Sequence, residues 1–250
     1  MKRVFVILFV AMIFADASAM TDSLFQMAND HYQKGEYELA LEEYKGIGNA
    51  GYESPGLYYN MGNAAFRSNS FGYAILYYEK CLKLDPSHED ARHNLDFVSR
   101  YRVDTFEQVP ELFLRTWLQA LTQSLSERTW SILSIILFMI FLGSILIYLF
   151  SRRLWFKKAG FFIALFGLLL FVVTILSALS SHHNIIRPEE GVILSPSVVV
   201  RSSPSNTGTE LFILHEGTKV KVKEGVSGWQ NIRVIDGREG WIGSADFESI

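Results

Sequence analysis

One cysteine, Cys81, is all that the 250-residue chain contains, so no internal disulfide braces any of its domains. Charge of one sign is scarce as well: 23 Lys and Arg stand against 26 Asp and Glu, a formal net charge of −3, with no long block of either. Without a basic face to neutralise phosphates, nucleic acid is not an expected partner. Catalytic signatures are equally missing. There is no Gly-rich phosphate loop, no metal-spaced His and Cys cluster and no nucleophile elbow. The adjacent His182 and His183 lack a third ligand, and the acidic pairs Glu42-Glu43 and Glu189-Glu190 fall on a helix exterior and in a linker. The expectation is a protein that is not an enzyme and needs neither cofactor nor metal. Cys81 reads as a small buried apolar residue.

Apolar residues are plentiful but pooled, at 4–14, 130–150 and 159–179. The first pool follows Lys2-Arg3 and precedes Ala15-Asp16-Ala17-Ser18-Ala19, a small-residue cleavage site with Ala17 and Ala19 at its two small positions. Residues 1–19 therefore read as an export signal peptide; an uncleaved anchor is the alternative, and both deliver the chain beyond Met20 across a membrane. The other two pools match the roughly 20 apolar residues a bilayer core demands, and predict transmembrane helices over 129–150 and 159–180. Between them, residues 151–158 carry Arg152, Arg153, Lys157 and Lys158 and no acid, which places that loop in the cytoplasm. Gly143-Ser144, Gly160 and Gly167 offer small surfaces where the two spans can approach. An even number of spans returns the chain to the side it started from. The expected topology is two passes through the inner (cytoplasmic) membrane, in contact with lipid, with both soluble parts in the periplasm.

Residues 24–86 repeat at a spacing of 34. Met27 maps to Met61, Ala28 to Gly62, Asn29 to Asn63 and Tyr32 to Phe66; Tyr37 maps to Phe71, Ala40 to Ala74, Leu41 to Ile75 and Tyr44 to Tyr78. Small residues where paired helices cross, an aromatic at the turn and a proline (Pro86) closing the second copy resemble the tetratricopeptide pattern. Residues 87–101 read as a polar capping helix, so residues 20–101 form two repeats and a cap. The concave face of such a solenoid is lined by its first helices. That places Asn29, Tyr32, Tyr59, Asn60, Asn63, Phe66, Arg67, His93 and Asn94 as partner-binding residues, with Phe25, Gln33 and Phe97 beside them. Amides and aromatics suit an extended peptide backbone; packing against the cap is the other role open to the aromatics. Asn29 and Asn60 resemble the asparagines of carboxylate-clamp repeats. The basic clamp positions are Phe25, Asp90 and Asn94 here, which argues against an acidic C-terminal tail as ligand.

A connector, residues 102–128, carries Leu114, Trp117, Leu118, Leu121 and Leu125 at helical spacing. Such a helix fits the bilayer surface or the open edge of the repeats. After the second span and a linker at 181–187, residues 188–250 change character. Short β-rich runs at 192–194, 198–201, 211–214, 219–223, 229–234 and 240–242 are separated by turn residues, among them the hairpin signal Asp236-Gly237. Val198-Val199-Val200-Arg201-Ser202-Ser203-Pro204, Glu216-Gly217-Thr218-Lys219-Val220, Gly228-Trp229 and Gly237-Arg238-Glu239-Gly240-Trp241-Ile242 resemble the bacterial SH3 domain, a small all-β barrel. Trp229 and Trp241 either form a ligand cleft there, for a peptide or for peptidoglycan, or pack the small core.

The fold class expected is thus a multidomain membrane protein: all-α tetratricopeptide repeats, a two-helix transmembrane hairpin and an all-β SH3-like barrel. That order of parts resembles the E-type (BatE-like) proteins of the Bacteroides aerotolerance operon. The resemblance implies protein partners, namely the von Willebrand A-domain membrane proteins of that operon, acting beside an AAA-type ATPase in envelope or stress physiology of Bacteroidota.

Overall fold

The computed structural model describes residues 23–106, 117, 120–122, 124–186 and 190–250. The expected signal peptide with Ala17 and Ala19, 13 of the 27 connector residues and residues 187–189 lie outside them.

Residues 23–101 form five helices and a short 3₁₀ turn. Helix α1 covers residues 23–33; α2 is Tyr37–Asn49, α3 Pro55–Arg67, α4 Phe71–Leu84 and α5 Glu89–Val98, followed by the turn Ser99–Tyr101. Their starts are written locally. Ser54 Oγ accepts from Leu57 N at 3.1 Å, with Pro55 in the first helical turn. His88 Nδ1 accepts from Ala91 N at 3.2 Å. Alanines mark the helix crossings: Ala28, Ala40, Ala64, Ala65 and Ala74 expose nothing. Gly62 stands where the first repeat has Ala28, because a Cβ there would lie 2.6 Å from the Tyr78 ring. Cys81 is fully buried, as its small-residue position requires.

Helix α6, Glu127–Phe150, and helix α7, Leu154–Ile186, are each long and apolar enough to cross a membrane. Both helices exceed the expected spans. Nothing in 154–158 or 181–186 is a glycine or proline, so α7 starts inside the expected basic loop and runs through most of the expected linker. The non-helical turn is confined to residues 151–153, and Lys157 and Lys158 stand on α7 itself. Gly160 is the close approach of the pair: a Cβ there would lie 2.9 Å from Ser144 O, whereas Gly143 faces open space. The buried Ser144 hydroxyl returns to its own helix, donating to Ile140 O at 2.8 Å.

The C-terminal region is one antiparallel sheet of seven strands: β1 Glu190–Ile193, β2 Ser197–Arg201, β3 Glu210–His215, β4 Lys219–Val226, β5 Trp229–Arg233, β6 Glu239–Gly243 and β7 Phe247–Ser249, ordered β3-β2-β6-β5-β4-β1-β7. Strand β7 was not expected, because three residues carry no readable alternation. The Asp236-Gly237 turn closes β5 to β6 with Gly237 at φ +90 and Asp236 Oδ1 accepting from Arg238 N at 3.0 Å. Ile193, Val198, Val200, Leu214, Val220, Ile232, Val234 and Ile242 form a single aliphatic cluster. Six successive strand segments feeding one cluster require the sheet to curl around it.

The chain divides into two compact units. One holds the two long helices; the other joins the repeats, the residues after α5 and the sheet. The sheet is thus docked on the repeats, which the sequence reading did not anticipate. Asp104 is the centre of the contact: its Oδ2 accepts from His215 N and from Thr218 Oγ1, both at 2.7 Å, and His215 Nδ1 lies 2.8 Å from Oδ1. Lys80 pairs with Glu248 at 2.5 Å, and Lys219 pairs with Glu79 at 3.0 Å and Glu190 at 2.8 Å. Burial would push the Lys219 ammonium down, but the two carboxylates outweigh it and hold its pKa above the usual lysine value.

Candidate functional site

One hydrogen-bond module occurs twice in the repeats. Asn29 Oδ1 accepts from the Tyr44 hydroxyl at 2.5 Å and from Asn60 Nδ2 at 3.4 Å. A repeat later, Asn63 Oδ1 accepts from the Tyr78 hydroxyl at 2.7 Å and from Asn94 Nδ2 at 3.0 Å. Each trio ties the first helix of a repeat to its second helix and to the first helix of the next unit. Burial pushes the Tyr44 hydroxyl up to about 12 and raises Tyr78 as well, so both stay protonated donors. The asparagines expected to face a ligand are thus committed, at least through their carbonyl oxygens, to holding the solenoid together.

Beside the second trio lies a pocket of about 80 Å³, lined by Tyr32, Asn63, Phe66, Arg67, Tyr78, Asn94 and Phe97. Five of the nine expected groove residues therefore converge there. Asn29 and Asn60 meet one repeat earlier, Tyr59 packs on His88 with ring centroids 4.8 Å apart, and His93 is exposed on α5. Phe66 faces the pocket and the cap together. It walls the pocket and packs on the cap, with its ring 5.7 Å from Phe97 and 6.1 Å from Tyr101. Arg67 Nη2 donates to the Tyr37 hydroxyl at 2.5 Å while its guanidinium lies 4.6 Å over the Tyr37 ring. Tyr37 was read only as a turn filler; its spacing to Arg67 across the repeat carries no signal in a single sequence.

On the sheet, Trp229 is paired with Gly243 and Asn231 with Trp241, so Trp229, Asn231 and Trp241 share one face of the β5–β6 ribbon. Gln230, Ile232 and Ile242 occupy the other face, where Ile232 and Ile242 enter the core. Both tryptophans are half-buried, and neither belongs to the aliphatic cluster. Arg201 pairs with Trp241 on the neighbouring strand and is held by Gly208 O at 3.0 Å and Glu210 at 3.3 Å. The ion pairs and closest contacts with the repeats come from Ile193 of β1, Glu216 and Gly217 of the β3–β4 turn, Lys219 of β4 and Glu248 of β7, and not from the two tryptophans.

Arg152 and Arg153 sit in the turn between α6 and α7 and are exposed, as are Lys157 and Lys158. At the other end of the two helices, His182 Nδ1 meets Glu127 at 2.9 Å, and Ser181 Oγ and Trp130 Nε1 both donate to Thr122 O, at 3.2 and 3.1 Å. His182 is thus engaged by a carboxylate, and no metal-holding group of His, Cys, Asp and Glu occurs among the described residues.

No curated protein matches the chain. Two family models do match parts of it, the tetratricopeptide repeat over residues 56–88 and the bacterial SH3 domain over residues 196–248.

Proposed function

We propose that the chain is a non-enzymatic, membrane-anchored adaptor that holds a protein partner in its repeat groove. The repeat match supports a protein-interaction scaffold. The single observation that carries the proposal is the open pocket at Asn63, Phe66, Arg67, Asn94 and Phe97, a concave site with aromatic walls and no catalytic group. In this proposal α6 and α7 cross the inner membrane, Arg152, Arg153, Lys157 and Lys158 keep their turn in the cytoplasm, and repeats and sheet face the periplasm. Docking of sheet on repeats supports a shared side, since an even number of spans separates them. Resemblance to the BatE-like proteins makes von Willebrand A-domain membrane proteins, with an AAA-type ATPase nearby, the partners to look for. A photo-crosslinking residue at Tyr59 in native membranes tests this. One discrete protein adduct, missing when the crosslinker stands at Glu42 on α2, is the expected result; identical adducts from both positions would remove the groove as binding surface.

A second reading is favoured by the sheet. Its family match supports peptidoglycan binding, and Trp229 and Trp241 share the outer face of the β5–β6 ribbon. Under this reading the full chain in detergent co-sediments with isolated cell walls, and Trp229→Ala with Trp241→Ala abolishes it. Unchanged sedimentation of the double variant would exclude that face.

A further inference from the structure

We infer that the pocket between α3 and α5 takes an extended segment of the partner in which a small aliphatic side chain stands next to a carboxylate. This deepens the adaptor reading and rests on it.

The floor of the pocket cannot adapt. Asn63 Oδ1 already accepts from Tyr78 and Asn94, so that carbonyl is spent on the fold. The walls are apolar: Phe66 and Phe97 stand edge to face at 5.7 Å, and Phe97 keeps 42% of its surface exposed on the solvent side. The volume of about 80 Å³ leaves room for one aliphatic side chain. An apolar wall left in water at the mouth of so small a recess gains by covering.

The rim supplies the charge. Arg67 is held by stacking on Tyr37, itself packed edge to face on Tyr32 at 5.2 Å, and no carboxylate among the described residues forms an ion pair with it. Glu36 and Glu38 border a neighbouring recess together with Arg67, but Glu36 is engaged by His31 at 2.5 Å. Beyond the Nη2 donation to the Tyr37 hydroxyl, the guanidinium keeps its remaining N–H groups for an acceptor, and a carboxylate suits them. Arg67 lies outside the positions at which carboxylate-clamp repeats carry their basic residues, so the site is a different one. Charge at Arg67 and apolar surface at Phe97 line the same pocket, and an occupant must therefore offer both together.

The test uses the full chain in detergent and fluorescent acetylated octapeptide amides, with a central Leu or Ala followed by Asp, Asn or Lys. Leu-Asp is expected to bind about tenfold more tightly than Leu-Asn, the effect of one charge-assisted hydrogen bond. Arg67→Gln should erase that preference and Arg67→Glu should turn it toward Leu-Lys. Leu-Asp should also bind more tightly than Ala-Asp, and Phe97→Ala should erase that difference and leave Asp over Asn intact. Equal binding of Leu-Asp, Leu-Asn and Leu-Lys, or Arg67 variants that leave the order unchanged, overturns the inference; a persisting adduct from Tyr59 would then show that the adaptor reading survives it. No binding by any octapeptide also overturns it. A dimer that Arg67→Glu converts to monomer would give the pocket to a second copy of the chain, with the same consequence.

Discussion

The Asp104 carboxylate accepts the backbone N–H of His215 at 2.7 Å and meets the same residue's ring at 2.8 Å, so the strand-free stretch leaving the repeats is clasped to the β3–β4 turn. Thr218 completes the clasp at 2.7 Å, and Phe106, two residues on, packs against the aliphatic cluster of the sheet. The side chain of Asp104 is only 11% exposed.

Acid should loosen this clasp. Burial pushes the Asp104 carboxyl up, but the hydrogen bonds from His215 and Thr218 outweigh it and hold its pKa below the ordinary carboxylate value. A folded-state pKa below the unfolded one gives stability that is complete above about pH 4 and is lost as pH falls through the folded value. Asp104→Ala should cost about 1–3 kcal/mol at pH 7, the penalty for stranding a buried backbone donor. Chemical denaturation from pH 7 to pH 3 checks this. The variant should lose less stability than the wild type over that interval; equal losses would remove Asp104 from the docking.

Two glycines set how closely the sheet approaches. A Cβ on Gly72 would lie 3.2 Å from Ile193 O and 3.4 Å from Gly217 N, and one on Gly217, which has φ +79, would lie 2.7 Å from Ile75 Cδ1. Gly217→Ala should cost about 1–2 kcal/mol for the left-handed backbone alone. Gly72→Leu should separate sheet from repeats, since backbone atoms opposite it cannot swing away, even though leucine suits a helix better than glycine. Calorimetry of the full chain should then show the transition of repeats and sheet dividing. A Gly72→Leu protein that melts as the wild type does, or higher, would contradict the docking.

Asn63 is a structural residue on this account. Asn63→Ala leaves the buried Tyr78 hydroxyl without its acceptor and the Asn94 amide with only the Tyr78 oxygen at 3.4 Å, a cost of about 1–3 kcal/mol. Tyr78→Phe in the same background should cost little more, because the stranded donor is gone. Urea denaturation of both single variants and the double measures the coupling; strict additivity would mean the trio does not act as a unit.

The repeats and the sheet were legible for different reasons. Small residues at Ala40 and Ala74 and the Asn29/Asn63 and Tyr44/Tyr78 correspondences announce a period directly, and so do the alternations Val220/Val222 and Ile232/Val234 and the Asp236-Gly237 turn between β5 and β6. The docking was not legible. Its contacts join residues far apart in the chain, 111 positions for Asp104 to His215 and 168 for Lys80 to Glu248, and nothing local in either segment marks a partner. The pocket was half legible. Periodicity finds Asn63, Phe66 and Arg67 on one face, but it cannot tell an amide that faces a ligand from one spent on a tyrosine. That distinction was nonetheless latent, because Asn29, Tyr44 and Asn60 shift together to Asn63, Tyr78 and Asn94. Charge marks residues 151–158, but they carry no helix breaker, and α7 starts within them at Leu154.

Joint action of repeats and sheet requires that they lie on one side of the bilayer and the arginine turn on the other. A phosphatase that works only outside the cytoplasm, fused after Ile250 in one strain and inserted after Arg152 in another, measures this in living cells. The account predicts activity from the first fusion and silence from the second. A silent first fusion, with the protein present in the membrane at normal level, would contradict it.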